Sequence, residues 1–286
     1  MKTRVLILTL LCAAAVTAAS AQEQQKMFSL KTLTATGQAL FGVSPRSTFQ
    51  SGSTGIGGGA EARLHLTGPI SLSLEGGYQD YTIKQKSPVT NWNWVYWQKY
   101  YRSYINTDWL GSYSYFNGTR VRTSTLTDDQ IVSGTPIVRE DSIYQATFKA
   151  VQTMSVIPLG ISVNAEIPVN AWLVPFVGAG ASVYLYERTM YLDEHWTKRA
   201  RPDAGIDSGR VYPFEYDFRN FATPIRGEVY AVSAKAGADL LVSRLIGFRF
   251  TAQYQGIIDA AGGASAARNF PFRGTFAATL GLVIRY

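Results

Sequence analysis

The chain has 286 residues, 46% of them hydrophobic, 13% aromatic and only 16% charged, with a formal charge of +7, so it has ample apolar material for a core or a membrane face. Its single cysteine, Cys12, falls in the first 21 residues, which excludes disulfides, a thiol nucleophile and a thiolate metal site from the rest. No later stretch offers the ~20 consecutive apolar residues of a membrane helix, so helical spans are excluded as well.

Lys2 and Arg4, the apolar run from Val5 to Val16 and the small-residue site Ala19-Ser20-Ala21 read as a secretory signal peptide over residues 1–21, with Gln22 the first mature residue. Loss of Lys2 and Arg4 with that leader lowers the charge from +7 to +5. An exported chain that stays in a membrane without helices must close its strands into a barrel, because only helices and barrels satisfy every backbone group in lipid. A secreted, soluble β-sandwich is the blander alternative on this composition and pattern.

Taken in order, the first strand runs from Ser29 to Phe41, with Leu33, Ala35, Gly37, Ala39 and Phe41 alternating against Thr32, Thr34, Thr36, Gln38 and Leu40. Gly42 to Gly55 reads as a loop. The second strand spans Gly57 to Thr67, the third starts at Ile70 after the Thr67-Gly68-Pro69 turn, and the fourth spans about Ala150 to Glu166. In the fourth, apolar residues change parity between Tyr144-Ala146-Phe148 and Ile157-Leu159-Ile161, which suggests a β-bulge near Pro158. The fifth covers Leu173 to Glu187, the sixth Gly227 to Leu241, the seventh Gly247 to Gly256, and the last Gly274 to Tyr286. In the last, Phe276, Ala278, Leu280, Leu282, Ile284 and Tyr286 share one apolar face.

The connections alternate long and short, as they do in barrels with long external loops and short periplasmic turns. The expected fold is therefore all-β: an eight-stranded antiparallel transmembrane β-barrel, one domain over 22–286, with long external loops at about 82–149 and 188–225. Within the first of these, Ser112 to Phe116 and Thr119 to Thr123 flank Asn117-Gly118, a strong hairpin signal. In the second, Tyr212, Phe214, Tyr216 and Phe218 alternate as a strand above the membrane would.

An eight-stranded barrel is just wide enough for its own side chains to fill it. The inward set Glu61, Arg63, His65, Glu75, Lys235, Asp239, Arg249 and Arg285 carries both signs and should pair into a polar plug in the lumen. Trp92, Trp94, Trp97 and Trp109 crowd the longest loop; they suit an aromatic girdle and packing, or a contact surface, since Trp and Tyr dominate binding hot spots. His65 reads as a buried pairing residue. His195, in the loop triplet Asp193-Glu194-His195, has no second acidic pair for hydrolysis and no fixed spacing for a metal, so no catalytic residue, cofactor or metal is expected.

Ile157-Pro158-Leu159-Gly160-Ile161, the stretch from Trp172 to Gly180 (WLVPFVGAG) and the aromatic terminus Tyr286 resemble the small eight-stranded outer-membrane barrels of Gram-negative bacteria, of the OmpA-barrel, OmpX and OmpW type, and most of all the outer-membrane β-barrel domain proteins of Bacteroidetes. The resemblance implies the cell outer membrane as location, the barrel-insertion machinery as a partner that reads Tyr286, and no catalytic residues. The positive excess suits anionic lipopolysaccharide head groups, and the loops suit a host or surface ligand; nucleic acid is not an expected partner. The expected role is a scaffold presenting surface loops, with a narrow channel for small apolar or ionic solutes as the alternative and an outer-membrane hydrolase as a distant third.

Overall fold

The computed structural model describes residues 28–45, 52–110, 113–140, 143–198, 214–258 and 269–286, so the leader, Tyr212 and much of two connections lie outside the described residues. The chain falls into two compact units, the first made of residues up to 84 with 154–188 and 225–286, the second of 85–153 and 189–224.

Strands follow in the order β1 (Leu30–Pro45), β2 (Ser53–Thr67), β3 (Ile70–Ile83), β4 (Tyr113–Phe116), β5 (Thr119–Arg122), β6 (Ile137–Arg139), β7 (Tyr144–Glu166), β8 (Leu173–Lys198), β9 (Phe214–Phe221), β10 (Ile225–Leu241), β11 (Ile246–Ile258) and β12 (Phe272–Arg285). In the first unit, β7, β3, β2, β1, β12, β11, β10 and β8 pair successively, and a further β7–β8 pairing closes the ring. The seam between first and last strands is antiparallel from Thr32↔Arg285 to Pro45↔Phe272. It is therefore the eight-stranded antiparallel barrel that the alternating connections imply.

Burial follows the pleat. On β12, Phe276, Leu280, Leu282 and Ile284 are exposed while Thr275, Ala277 and Val283 are buried. Ile56, Val177, Tyr230, Val232, Phe248 and Phe250 extend the exposed apolar outside around other strands of the ring. So much contiguous apolar surface is unfavourable in water and is what a lipid-facing wall requires.

The strands outrun their expected bounds. β1 and β2 continue into the stretch expected as a loop, and β8 runs ten residues and more past Glu187 to Lys198. β7 also corrects the expected bulge. Ala146, Phe148, Gln152, Met154, Val156, Ser162, Asn164 and Glu166 are all buried, so the even positions face inward from end to end of one unbroken strand. The apolar residues change parity because the environment changes, not the backbone: near Ala146 it is the inner face that is apolar, and near Ile161 it is the outer one.

In the second unit, β4 and β5 form the expected hairpin, with Asn117 at φ 49° and Gly118 at φ 75° supplying the left-handed pair its two-residue turn needs. A valine at Gly118 would be strained by about 1–2 kcal/mol. Gly118→Val should therefore speed amide exchange across 113–122 and leave the barrel strands protected. β9 pairs with β8 from Tyr191↔Phe221 to Lys198↔Phe214, realising the aromatic alternation as a strand.

The helices in this unit were not legible as such. α1 (Pro88–Trp92) starts on proline and ends at Asn93 in the left-handed region; π-helical turns follow at Trp97–Tyr101 and Tyr104–Trp109. α2 (Asp128–Ile131) carries a capping box between Thr127 and Gln130. Trp92, Trp94, Trp97, Ile105, Ile131, Phe148, Met190, Leu192 and Trp196 are buried and give the unit its own core.

Candidate functional site

The lumen of the barrel holds paired charge. Glu61 accepts from Arg63 Nη2 at 2.9 Å and Ser73 Oγ at 2.6 Å, and Arg249 Nη1 lies 3.0 Å from it. Arg249 also grips Asp239 through two nitrogens at 2.6 and 2.8 Å. Lys235 Nζ reaches Glu75 at 2.5 Å and Glu61 at 3.7 Å. The Phe176 ring sits under Arg63 at 4.3 Å and Arg249 at 5.3 Å, so it too is engaged by cations.

Six of the eight residues expected in the plug are thus brought together. His65 and Arg285 are not: both are half-buried, and neither makes an ion pair among the described residues. His65 lies two residues from the end of β2 and Arg285 is the last residue of β12, so both stand at strand ends rather than within the network. The structure adds Lys31 and Glu166 instead, paired to each other, with Arg63 Nη1 3.4 Å and Ser71 Oγ 2.9 Å from the carboxylate. Glu166 is in phase with Ser162 and Asn164 and could have been found from the alternation. Lys31 could not, because an irregularity of register between Leu30 and Thr32 places it. Lys31, Arg63, Lys235 and Arg249 balance Glu61, Glu75, Asp239 and Glu166, so the plug closes neutral.

Towards the loop ends of the strands the filling turns apolar: Leu40, Tyr81, Met154, Tyr184, Tyr186 and Phe272 pack in one buried cluster. A cavity of about 50 Å³, lined by Gln38, Glu75, Gln79, Lys235, Gln253 and Gln255 among others, lies within the barrel. It has room for a few waters and not for a nutrient-sized solute.

The second unit presents a different surface. Trp92, Trp94 and Trp97 are 8%, 6% and 0% exposed, which corrects their reading as a contact surface; they are the packing that the helical segment needs. The Trp109 side chain lies outside the described residues. What is exposed is the other side of the same segment, with Val95, Tyr96, Tyr100 and Tyr104 all above two-fifths accessible. Tyr96 and Tyr101 stack at 5.4 Å, and Tyr101 and Tyr104 at 6.2 Å, so the tyrosines form a continuous pre-ordered aromatic face.

Beneath it, Glu194 of β8 is 2% exposed. Tyr101 Oη donates to its Oε2 at 2.5 Å and Trp196 Nε1 at 3.0 Å. Burial pushes its carboxyl above the ordinary range despite those two donors, and burial together with the Glu194 contact pushes the Tyr101 phenol well up. Sequence reasoning missed Glu194 because residues 188–225 read as a loop and the triplet drew attention to His195. That histidine is on the strand, not in a loop: its Nδ1 lies 2.9 Å from Asp217 Oδ1 and its Nε2 3.5 Å from Glu215, on the half-exposed face of β8 and β9. No group of three or more His, Cys, Asp or Glu side chains poised for a metal occurs among the described residues.

No protein-family model matches the chain, and no curated protein matches its sequence. Among solved structures it is similar to the Neisserial surface protein A, 9% identical over 89% of this chain and 96% of that one, with a TM-score of 0.41. It is also similar to Ail, the attachment invasion locus protein of Yersinia pestis (7% identical, 90% of this chain, 99% of that chain, TM-score 0.36), and to the outer membrane protein OprG from Pseudomonas aeruginosa (8%, 91%, 98%, 0.38). The closed ring and its apolar outside, rather than these likenesses, define the fold.

Proposed function

We propose that the protein is an integral outer-membrane barrel of a Gram-negative bacterium, of the kind found in Bacteroidetes, whose plugged barrel is a rigid scaffold and whose second unit makes contact with a ligand or partner at the cell surface. The observation that carries this reading is the exposed face of Val95, Tyr96, Tyr100 and Tyr104, held in place by the buried tryptophans on its reverse. Tyrosine gives large contact area at little entropic cost, which is why such faces act as binding hot spots. Lipopolysaccharide around the wall and the barrel-insertion machinery at Tyr286 are the other partners this location implies.

The channel reading has less behind it, since a neutral ion network and an aromatic cluster fill the lumen. Two measurements on the reconstituted protein decide between them. Planar bilayers should stay electrically silent, with and without Lys235→Met. Liposomes carrying the protein should be retained on surfaces coated with polysaccharide or serum protein, and Tyr96→Ser with Tyr100→Ser should reduce retention about tenfold, the effect of removing roughly 1.4 kcal/mol of contact. Unitary currents abolished by Lys235→Met, or retention indifferent to the tyrosines, would overturn the proposal.

A further inference from the structure

We propose that Glu194 is a proton-operated latch for the aromatic face: protonated, it keeps the 97–109 helical segment seated on β8, and ionised, it loosens that segment. The inference deepens the contact-surface reading by giving that surface a regulation, and it rests on that reading only for its biological use.

Glu194 lies on the buried side of β8 with Leu192 and Trp196. Its Oε2 takes both available donors, Tyr101 and Trp196, while its Oε1 is buried with no hydrogen-bond partner. No cation pairs with it among the described residues. The groups facing it are aromatic: Tyr101 from the helical segment, with Tyr96 stacked on it, and Tyr216 from β9, with Tyr104 beside it. Trp196 stacks on Tyr216 at 6.5 Å and meets Phe148 of β7 edge-on at 5.2 Å. Lys198 shares this side of β8 but is taken up by the rings of Tyr144 and Phe214, at 5.2 and 5.7 Å. Asp193, His195, Asp217 and Arg219 pair with one another, and Asp193 and His195 alternate with Glu194 along β8, so they face the other way. Lys149, next to Phe148 on β7, alternates in the same sense.

A carboxylate with an orphaned oxygen among rings is costly, whereas the neutral acid costs far less. The Tyr101 hydroxyl remains a donor in both states, because its own ionisation is pushed up by burial. The sign follows. Below the ordinary carboxylate value of 4.5 both the seated and the released forms hold the proton, and the seat is firmest. As pH rises above that value the released form ionises first, and the seat weakens until Glu194 is itself ionised. Among the described residues its donors are Tyr101 and Trp196, and Trp196 lies on β8 itself, so the bond that ionisation burdens is the one to the helical segment bearing the tyrosine face.

Hydrogen exchange on the full chain in liposomes, corrected for the intrinsic pH dependence of exchange, tests this. Protection of the 97–109 amides should be greater at pH 5 than at pH 8, the loss on raising the pH being a factor of about ten for each pKa unit by which the seated form exceeds the released one. Glu194→Gln should hold high protection at both pH values, and His195→Gln should leave the wild-type dependence intact. Tyr101→Phe, which removes the segment's hydrogen bond to Glu194, should lower protection of the 97–109 amides at both pH values. Heat-modifiable migration reports that each variant has a folded barrel. Protection independent of pH in the wild type, dependence retained in Glu194→Gln, or dependence lost in His195→Gln would sink the latch. Liposome retention plays no part in this readout, so failure of the contact-surface reading would appear separately.

Discussion

Arg249→Met is expected to destabilise the barrel by about 3–5 kcal/mol, the usual consequence of leaving a buried charge without its partner. The Arg249 side chain is 1% exposed and holds Asp239 through two hydrogen bonds. Methionine fills the space, but no other cation pairs with Asp239 among the described residues. Glu61 suffers less, since Arg63 and Lys235 remain. Arg249→Met combined with Asp239→Leu should therefore recover much of the loss, because an apolar pair of similar volume often replaces a buried ion pair at little cost. Urea titrations of the protein folded in lipid measure both. A single variant as stable as wild type would mean that water reaches Asp239 and the plug is not closed. The bilayer should remain silent in either variant, since the apolar cluster of Leu40, Tyr81 and Tyr184 is untouched.

Gly180→Val should have the larger effect, preventing assembly outright. A Cβ at position 180 would lie 2.3 Å from the Ile161 carbonyl oxygen and 2.6 Å from Ser162 Cβ. Neither can retreat: the carbonyl belongs to β7, and β7 against β8 is the pairing that closes the ring. Overpacking between two strands of a closed sheet displaces backbone, which costs several times what a side-chain adjustment does. At Gly37, on the outward face of β1, nothing lies within 4 Å of the corresponding Cβ. Gly37→Val should therefore give a normal heat-modifiable band where Gly180→Val gives none. Equal yields of folded barrel would show that the β7–β8 seam tolerates separation. The same crowding explains the run of small residues after Phe176, as a Cβ at Gly178 would meet Asn164 Oδ1 at 2.3 Å.

Both predictions concern inward positions, and those were the most legible part of the chain. A two-residue period leaves no freedom: once Phe276, Leu280 and Leu282 face lipid, the residues between them must face the lumen. The pairing of Glu61, Arg63, Glu75, Lys235, Asp239 and Arg249 follows, because charges forced into a narrow tube have only each other. His65 and Arg285 obey the same period and still lie outside the network. Alternation says which way a side chain points but not how far along the tube it sits, and both lie at strand ends.

The second unit was far less legible. Its strands β4, β5 and β9 announce themselves through a turn dipeptide and an aromatic alternation, which are local signals. Its helical segment does not, since the run from Trp92 to Trp109 is too aromatic for helix propensity to stand out, and two of its turns are π-helical. Counting tryptophans could not tell a core from a contact face either.

By itself the sequence determined the strand ring, the order and face of its strands, and the inward charges, because each depends on a period or a turn that neighbouring residues set. Only the tertiary structure decided that Trp92, Trp94 and Trp97 are packing and the tyrosines are surface, that Lys31 and Glu166 complete the plug, and that Glu194 lies buried with no cation paired to it among the described residues. Each of those depends on which distant segments meet, and burial is a property of that meeting rather than of any residue.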